Sequence, residues 1–236
     1  MKKFAAALAV AGVMTVAMTA CAATVESGAA AAPAPQIPAP GGYTATTVRL
    51  EGRNFTIDIP QVTGGAAGAR ADFNDGMRAL AAVWSAQVQV DDQTKLAPGP
   101  GQVTYFGTRV LSGLLVVSAD GGGAHPYNLY ATHVTNADTG REITLRDLFA
   151  DLPRGLSILA DAAAVQVPGT NAGDYYSKSG IEANEYNYQN WLATPGGMEI
   201  HFGELAAHAA GDIVITVPWS TLAAVLRPGM REVVGS

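Results

Sequence analysis

Residues 174–191 hold the densest set of side chains suited to recognition. Tyr175, Tyr176, Tyr186, Tyr188 and Trp191 are five of the chain's eleven Tyr and Trp residues. Asp174, Glu182 and Glu185 stand among them against a single cation, Lys178. The chemistry on offer is contact rather than bond breaking. Tyr and Trp present large areas at low entropic cost, and acidic neighbours speed encounter with a cationic partner. Tyr175, Tyr176, Glu182, Glu185, Tyr186, Tyr188 and Trp191 are therefore the candidate binding residues. The alternation of Tyr186, Tyr188 and Trp191 also fits a strand turned to a core, with the acids solvated.

Bond-making chemistry finds less support. The chain has no G-x-S-x-G elbow, no phosphate-cradling glycine motif ahead of a helix and no H-E-x-x-H pair. Gly121-Gly122-Gly123 falls between two expected strands and reads as a wide turn. His125, His133, His201 and His208 are scattered; the even spacing of His125 and His133 allows one strand face, but no carboxylate or cysteine pattern completes a metal site. No catalytic residue, metal or cofactor is expected. The competing reading is a weak envelope hydrolase or esterase whose Ser, His and Asp meet only in space.

Fourteen Lys+Arg against 20 Asp+Glu give a net charge of −6, which lacks the basic footprint of a nucleic-acid binder. Charged residues make up 14% of the chain, below the roughly 25% of an average soluble domain. The one cysteine, Cys21, excludes an internal disulfide. Its context is specific. Met1-Lys2-Lys3 is a positive start, Phe4 to Ala20 is uncharged and apolar, and Met18-Thr19-Ala20 precedes the cysteine. This resembles a bacterial lipobox, with Met in place of the usual Leu at its first position. The resemblance implies cleavage after residue 20, a diacylglycerol thioether on Cys21 and an acylated amine. Two or three acyl chains, at ~0.8 kcal/mol per buried CH2, hold a protein on a membrane where one chain does not. Cleavage would leave 12 Lys+Arg against 20 Asp+Glu, a net −8, so lipid rather than charge must do the holding. The Ala/Pro-rich stretch from Ala22 to Gly42 cannot form a core and favours extended conformations, a stalk of up to about 60 Å.

Positioning elements follow from periodicity. Thr47–Leu50 and Phe55–Ile59 alternate with period two and predict a hairpin, ended by Pro60 and Gly64-Gly65. Phe73, Met77, Leu80, Trp84 and Val88 mark one face of a helix. Pro98 to Gly101 predicts a turn, and 103–118 a long strand bent at Gly107 and Gly113. Further strands are expected at 127–135, 142–144, 188–193, 198–202 and 212–217. Helices are expected at 145–149 and 156–165, with a last one capped by Ser220 and running to Leu226. Hairpin-length links between mixed elements predict an α+β fold, mainly antiparallel sheet with packed helices, with room for two interlocked subdomains.

Several segments, in order, resemble the extracellular domain of RsiV-type proteins, a domain of unknown function shared with secreted mycobacterial immunogenic proteins. They are Ile59-Pro60-Gln61-Val62 leading to Phe73-Asn74, Gly122-Gly123-Ala124-His125, and Asn136 to Phe149 with its Asp138-Thr139-Gly140 and Ile143-Thr144-Leu145. Gly197 to Phe202, Glu204 to Gly211 and Val217-Pro218-Trp219 complete the set. Ala207-His208 departs from the family's Pro-Tyr. The resemblance spans about residues 45 to 230 and implies binding of an exterior ligand, lysozyme among them. The expected organisation is a signal peptide at 1–20, a lipidated cysteine and linker at 21–42, an N-terminal part at 43–120 and an RsiV-like C-terminal domain at 121–236. The expected protein is a non-catalytic lipoprotein on the extracytoplasmic face of the cell membrane. Its expected partners are the membrane, through the lipid, and a basic protein such as lysozyme or a cell-wall glycan; nucleic acid is not among them.

Overall fold

The computed structural model describes residues 39–236 apart from 91, 92, 124 and 204. Cys21, the expected signal peptide and the Ala/Pro tract up to residue 38 lie outside the described residues. The first hairpin pairs β1 (Tyr43–Gly52) with β2 (Phe55–Gly64) over ten antiparallel positions. The long helix α1 (Ala67–Val90) follows, then β3 (Lys95–Pro98), β4 (Gln102–Phe106), β5 (Val110–Asp120), β6 (Tyr127–Asn136) and the short β7 (Arg141–Glu142). These seven strands form one sheet in the order β1-β2-β3-β5-β6-β7, with β4 also paired to β5. All pairs are antiparallel except the single contact Phe55–Leu96 between β2 and β3. Helices α2 (Leu145–Leu148) and α3 (Leu152–Gln166) lead to a three-stranded antiparallel sheet of β8 (Trp191–Ala193), β9 (Gly197–His201) and β10 (Val214–Pro218). Helices α4 (Trp219–Leu222) and α5 (Met230–Val234) close the chain. The architecture is α+β.

Pleating divides the core in two. Leu111, Leu115, Val117 and Ala119, at odd positions of β5, pack with Phe73, Met77 and Ala81 of α1. Val110 faces the opposite way into a second apolar cluster with Phe149, Leu159, Trp191 and Trp219. Two glycines permit close approach on the α1 side. A Cβ on Gly113 would stand 2.5 Å from Phe73 Cζ, and one on Gly76 would stand 2.3 Å from His133 Cε1. The two sheets are tied by buried Ser112 of β5. Its Oγ donates to the Ala193 carbonyl (3.0 Å) and accepts from the Ala193 amide (3.1 Å).

Four expectations are corrected. Pro60 lies inside β2 rather than at its end. Beyond Phe55, β2 is paired with β1 alone, so it has a side free of ladder bonds where proline is tolerated. The stretch 103–118 is a hairpin, not one strand. It turns at Gly107, whose amide bonds the Val110 carbonyl, and the bulge lies in β4 between Val103 and Tyr105. The strand expected from Tyr188 starts only at Trp191, because residues 186–188 form a 3-10 turn. Ser220 lies inside α4 and caps nothing; that helix stops at Leu222.

Candidate functional site

Strand β6 has two working faces. His133 and Thr135 point to α1, where both meet Asp72: His133 Nε2 lies 3.1 Å from Asp72 Oδ2, and Thr135 Oγ1 donates to the same oxygen at 2.7 Å. The other carboxylate oxygen accepts from the Glu142 amide at 3.1 Å. This partly buried polar hub fixes helix to sheet. His125 precedes β6 and is exposed, so it does not share a strand face with His133.

The even positions of β6, Asn128, Tyr130, Thr132 and Val134, line a groove. Its opposite wall is the irregular segment 177–190, which contains 3-10 turns at Lys178–Ile181 and Tyr186–Tyr188. One half, of about 480 Å³, lies between Tyr130, Ser177, Ser179, Asn187 and His201. The other, of about 350 Å³, lies between Thr132, Ile143, Leu145 and Glu185, with Trp191 at its floor. Tyr186 and Gln189 line both halves. Asn190 pins the wall to the strand by donating from Nδ2 to the Tyr130 carbonyl at 3.1 Å.

Local sequence explains the wall. Asn187 donates from Nδ2 to the carbonyls of Ser179 (2.8 Å) and Glu182 (3.0 Å), stitching the two turns together. Tyr188 runs inward, and its hydroxyl donates to the Ile181 carbonyl at 2.6 Å. Burial pushes that phenol well above its ordinary pKa. At the junction with β7, Thr144 caps α2 by accepting from the Asp147 amide, and Asp147 accepts from the Thr144 amide in return. This reciprocal cap is the physical content of the Ile143-Thr144-Leu145-Arg146-Asp147 motif.

His201 sits at the end of β9 against the groove and is 6% exposed. It donates from Nδ1 to Asp212 (2.5 Å) and from Nε2 to Glu199 (3.0 Å), with the Tyr130 ring stacked on it at a centroid distance of 6.3 Å. Burial pulls its pKa down, but the hydrogen bonds and charges of Asp212 and Glu199 outweigh that and lift it to about 9. At neutral pH it is an imidazolium with both N–H groups engaged. It has no lone pair with which to take a proton, so Ser177 and Ser179, which share the groove lining with it, gain no base from it. Burial also raises the Tyr130 phenol, which enters the groove as a neutral hydroxyl. Among the described residues, no group of three or more His, Cys, Asp or Glu is arranged to hold a metal ion, and no helix is long and apolar enough to cross a membrane.

The seven candidate binding residues separate on this geometry. Tyr186 is 78% exposed and sits on the groove; Glu185 lines its second half, ion-paired with Arg146. Tyr175 is 92% exposed but stands away from the groove lining, and Glu182 is exposed. Tyr176 bridges to Ala206, with Lys178 Nζ 3.7 Å from its ring centre. Tyr188 and Trp191, at 0% and 3% exposure, are core residues, and of the two only Trp191 borders the groove. Both belong to the apolar cluster under the groove, since the turn at 186–188 aims Tyr186 out and Tyr188 in. Asn128, Tyr130, Gln189 and the His201 group were not among the candidates. The period-two pattern of β6 was a signal for Asn128 and Tyr130, but nothing local ties them to a segment some 60 residues later.

The stretch from α2 through β10 carries one whole wall of this groove, and it is there that a known family is found. Residues 146–220 match DUF3298, a protein family of unknown function. The DUF3298 match takes in the 177–190 segment, His201 with both its carboxylates, and Trp219; Asn128 and Tyr130 lie outside it. A crystal structure of a DUF3298 family member from Bacteroides fragilis is similar with a TM-score of 0.57 and 12% identity, covering 83% of this chain and 98% of that one. A DUF3298 family protein from Pseudomonas aeruginosa is similar with a TM-score of 0.49 and 13% identity, covering 81% of this chain and 96% of that one. The first of these likenesses shows that the fold extends well beyond the DUF3298 match itself. Among curated proteins, no relative matches.

Proposed function

We propose that this chain is a non-catalytic binding protein, held by lipid on Cys21 at the extracytoplasmic face of the membrane, that contacts its ligand through the groove on β6. The observation that carries the reading is how the groove's histidine is held. His201 is locked between two carboxylates, while the exposed Tyr186 and Gln189 present a contact ridge. The lipobox-like Met18-Thr19-Ala20-Cys21 supports the anchor, and the resemblance to RsiV-type exterior domains supports a ligand met outside the cell. A basic protein such as lysozyme and a cell-wall glycan are the two ligand classes consistent with that location.

Two measurements test this. Wild type and Cys21→Ser are expressed in a bacterial host and compared by intact mass and detergent partitioning. Wild type is expected to carry acyl mass on Cys21 and enter the detergent phase, and Cys21→Ser to do neither; an unmodified wild-type precursor overturns the anchor. Separately, a photocrosslinking residue is placed at Gln189 or at Val83, which is exposed on α1. Capture of envelope or host molecules is expected from position 189 only. Equal capture from both positions, or none from 189, overturns the groove as the contact face.

A further inference from the structure

The groove's own chemistry narrows the ligand. We infer that it binds an uncharged linear polysaccharide chain lying along β6, with Tyr186 as the platform on which one sugar ring stacks. This rests on the groove being the contact face, as proposed above.

Three observations carry it. The first is shape. The lining runs from Asn128 to Val134 on one strand face, which at ~3.3 Å per residue is about 20 Å, and its two halves meet at Tyr186 and Gln189. Two adjoining cavities along one strand face, sharing Tyr186 and Gln189 between them, fit a chain better than a single small molecule.

The second is the functional groups. Asn128, Tyr130, Ser177, Ser179, Asn187 and Gln189 supply neutral amides and hydroxyls, groups that both donate and accept. Sugar hydroxyls need the same duality. Several of these groups have capacity to spare. Among the described residues, the Gln189 amide and the Tyr186 hydroxyl have no hydrogen-bond partner. Asn187 uses Nδ2 for two carbonyls, which leaves Oδ1 to accept. Tyr186 and Gln189 are three residues apart on a tight turn, where such side chains stand side by side. An aromatic face next to an amide can hold the apolar C–H face of a pyranose while the amide takes its hydroxyls.

The third is charge. A cationic protein surface would be met by free carboxylates, and most of those here are committed. Glu185 pairs with Arg146, while Glu199 and Asp212 pair with His201. Glu142, at the far end, lies 3.7 Å from His133 Nδ1 and is the loosest of the carboxylates around the groove. Such a lining offers little attraction to a basic partner, and its hydrogen bonds to a neutral chain would be insensitive to salt.

The test uses the full chain in detergent micelles with four probes: N-acetylglucosamine, chitotetraose, cellotetraose and hen lysozyme. Affinity is measured by calorimetry at low and high salt, and pelleting with purified sacculi reads binding to an intact wall polymer. At least one tetrasaccharide is expected to bind, more tightly than the monosaccharide and with little salt dependence, and sacculi are expected to be pelleted with the protein. Tyr186→Ala is expected to weaken that binding about tenfold or more, Tyr186→Phe to retain most of it, and Tyr175→Ala to leave it unchanged. Both tyrosines are exposed, so melting temperatures should stay within a degree or so of wild type. Absence of binding to every sugar probe overturns the inference whether or not sacculi bind, as does sugar binding that Tyr186→Ala does not weaken. Salt-sensitive lysozyme binding that Tyr186→Ala abolishes, without sugar binding, overturns the glycan but upholds the groove. Failure of every probe together with failure of crosslinking from position 189 overturns both.

Discussion

Asn74 treats the backbone of Val62 as a neighbouring strand would. Its Nδ2 donates to the Val62 carbonyl at 2.9 Å and its Oδ1 accepts from the Val62 amide at 2.8 Å, so one helical side chain satisfies both polar groups of a buried strand residue. Backbone groups two residues apart on a strand point to the same side, so those of Pro60 also face away from β1. That is where a proline can sit without breaking the hairpin. The spacing of Pro60, Val62 and Asn74 thus has a physical origin: α1 takes the place of a missing strand along β2.

Removing that clasp should be costly. Asn74→Ala leaves the Val62 amide and carbonyl without partners at a position 1% exposed, and is expected to destabilise the fold by about 2–3 kcal/mol. Asn74→Asp keeps the acceptor but puts a carboxylate oxygen against the Val62 carbonyl, and should do no better. Urea midpoints at constant slope measure both. A loss under ~0.5 kcal/mol for each would show that water replaces the side chain.

The joint between the sheets should behave similarly on a smaller scale. Ser112→Ala deletes the hydroxyl that serves the Ala193 amide and carbonyl in a fully buried setting, with an expected cost of about 1–3 kcal/mol. Amide hydrogen exchange at Ala193 is expected to speed up at the same time. Unchanged exchange there would mean that the two sheets do not depend on this contact.

Tyr186 and Tyr188 are two residues apart and should respond oppositely. Tyr188→Phe strands the Ile181 carbonyl and is expected to lower stability by about 1 kcal/mol, whereas Tyr186→Phe should be silent. Thermal melts of the two variants decide. Equal sensitivity would contradict the inward and outward assignment of the turn.

His201 makes stability depend on alkaline pH. Its folded pKa of about 9 lies above the ordinary histidine value near 6.5, so the folded state holds a proton that the unfolded chain releases. The stabilisation is fully present below about pH 6.5, declines as pH rises and is gone above about pH 9. Its size is on the order of 3 kcal/mol. Denaturation midpoints from pH 6 to 10 should fall accordingly. His201→Gln, which keeps a donor but no charge, should be less stable than wild type at pH 6 and show a flatter profile. A wild-type curve level across that range would contradict the ion triad.

Much of this fold is legible in the chain because its elements are strongly periodic. The stripe from Phe73 to Val88 and the alternation at 55–59 each encode one face, and the structure honours them, whereas Val48 in the first arm of the hairpin is 42% exposed. Breaks in period are harder. Gly107 reads equally as a bulge or a turn, and only the partner strand decides. The aromatic segment 174–191 imitates a strand in the spacing of Tyr186 and Tyr188 but folds around two 3-10 turns, so its sequence cannot say that Tyr188 turns inward while Tyr186 does not. The Asp72 hub and the groove are less legible still. Both are assembled from residues some 60 positions apart, and no local preference encodes their meeting. The exception is Thr144 with Asp147, whose spacing is a helix-start signal in its own right.

Ten consecutive residue pairs lock β6 to β5, and more hangs on that count than sheet strength. Because neighbouring residues of β6 serve opposite masters, a slip by a single position would trade their assignments. His133 and Thr135 would be turned to the groove and the second apolar cluster, and Tyr130 and Thr132 driven against the helix. One inserted amino acid midway along this strand would therefore dismantle the helix anchorage and the groove in a single stroke, a greater injury than losing any side chain that either contains.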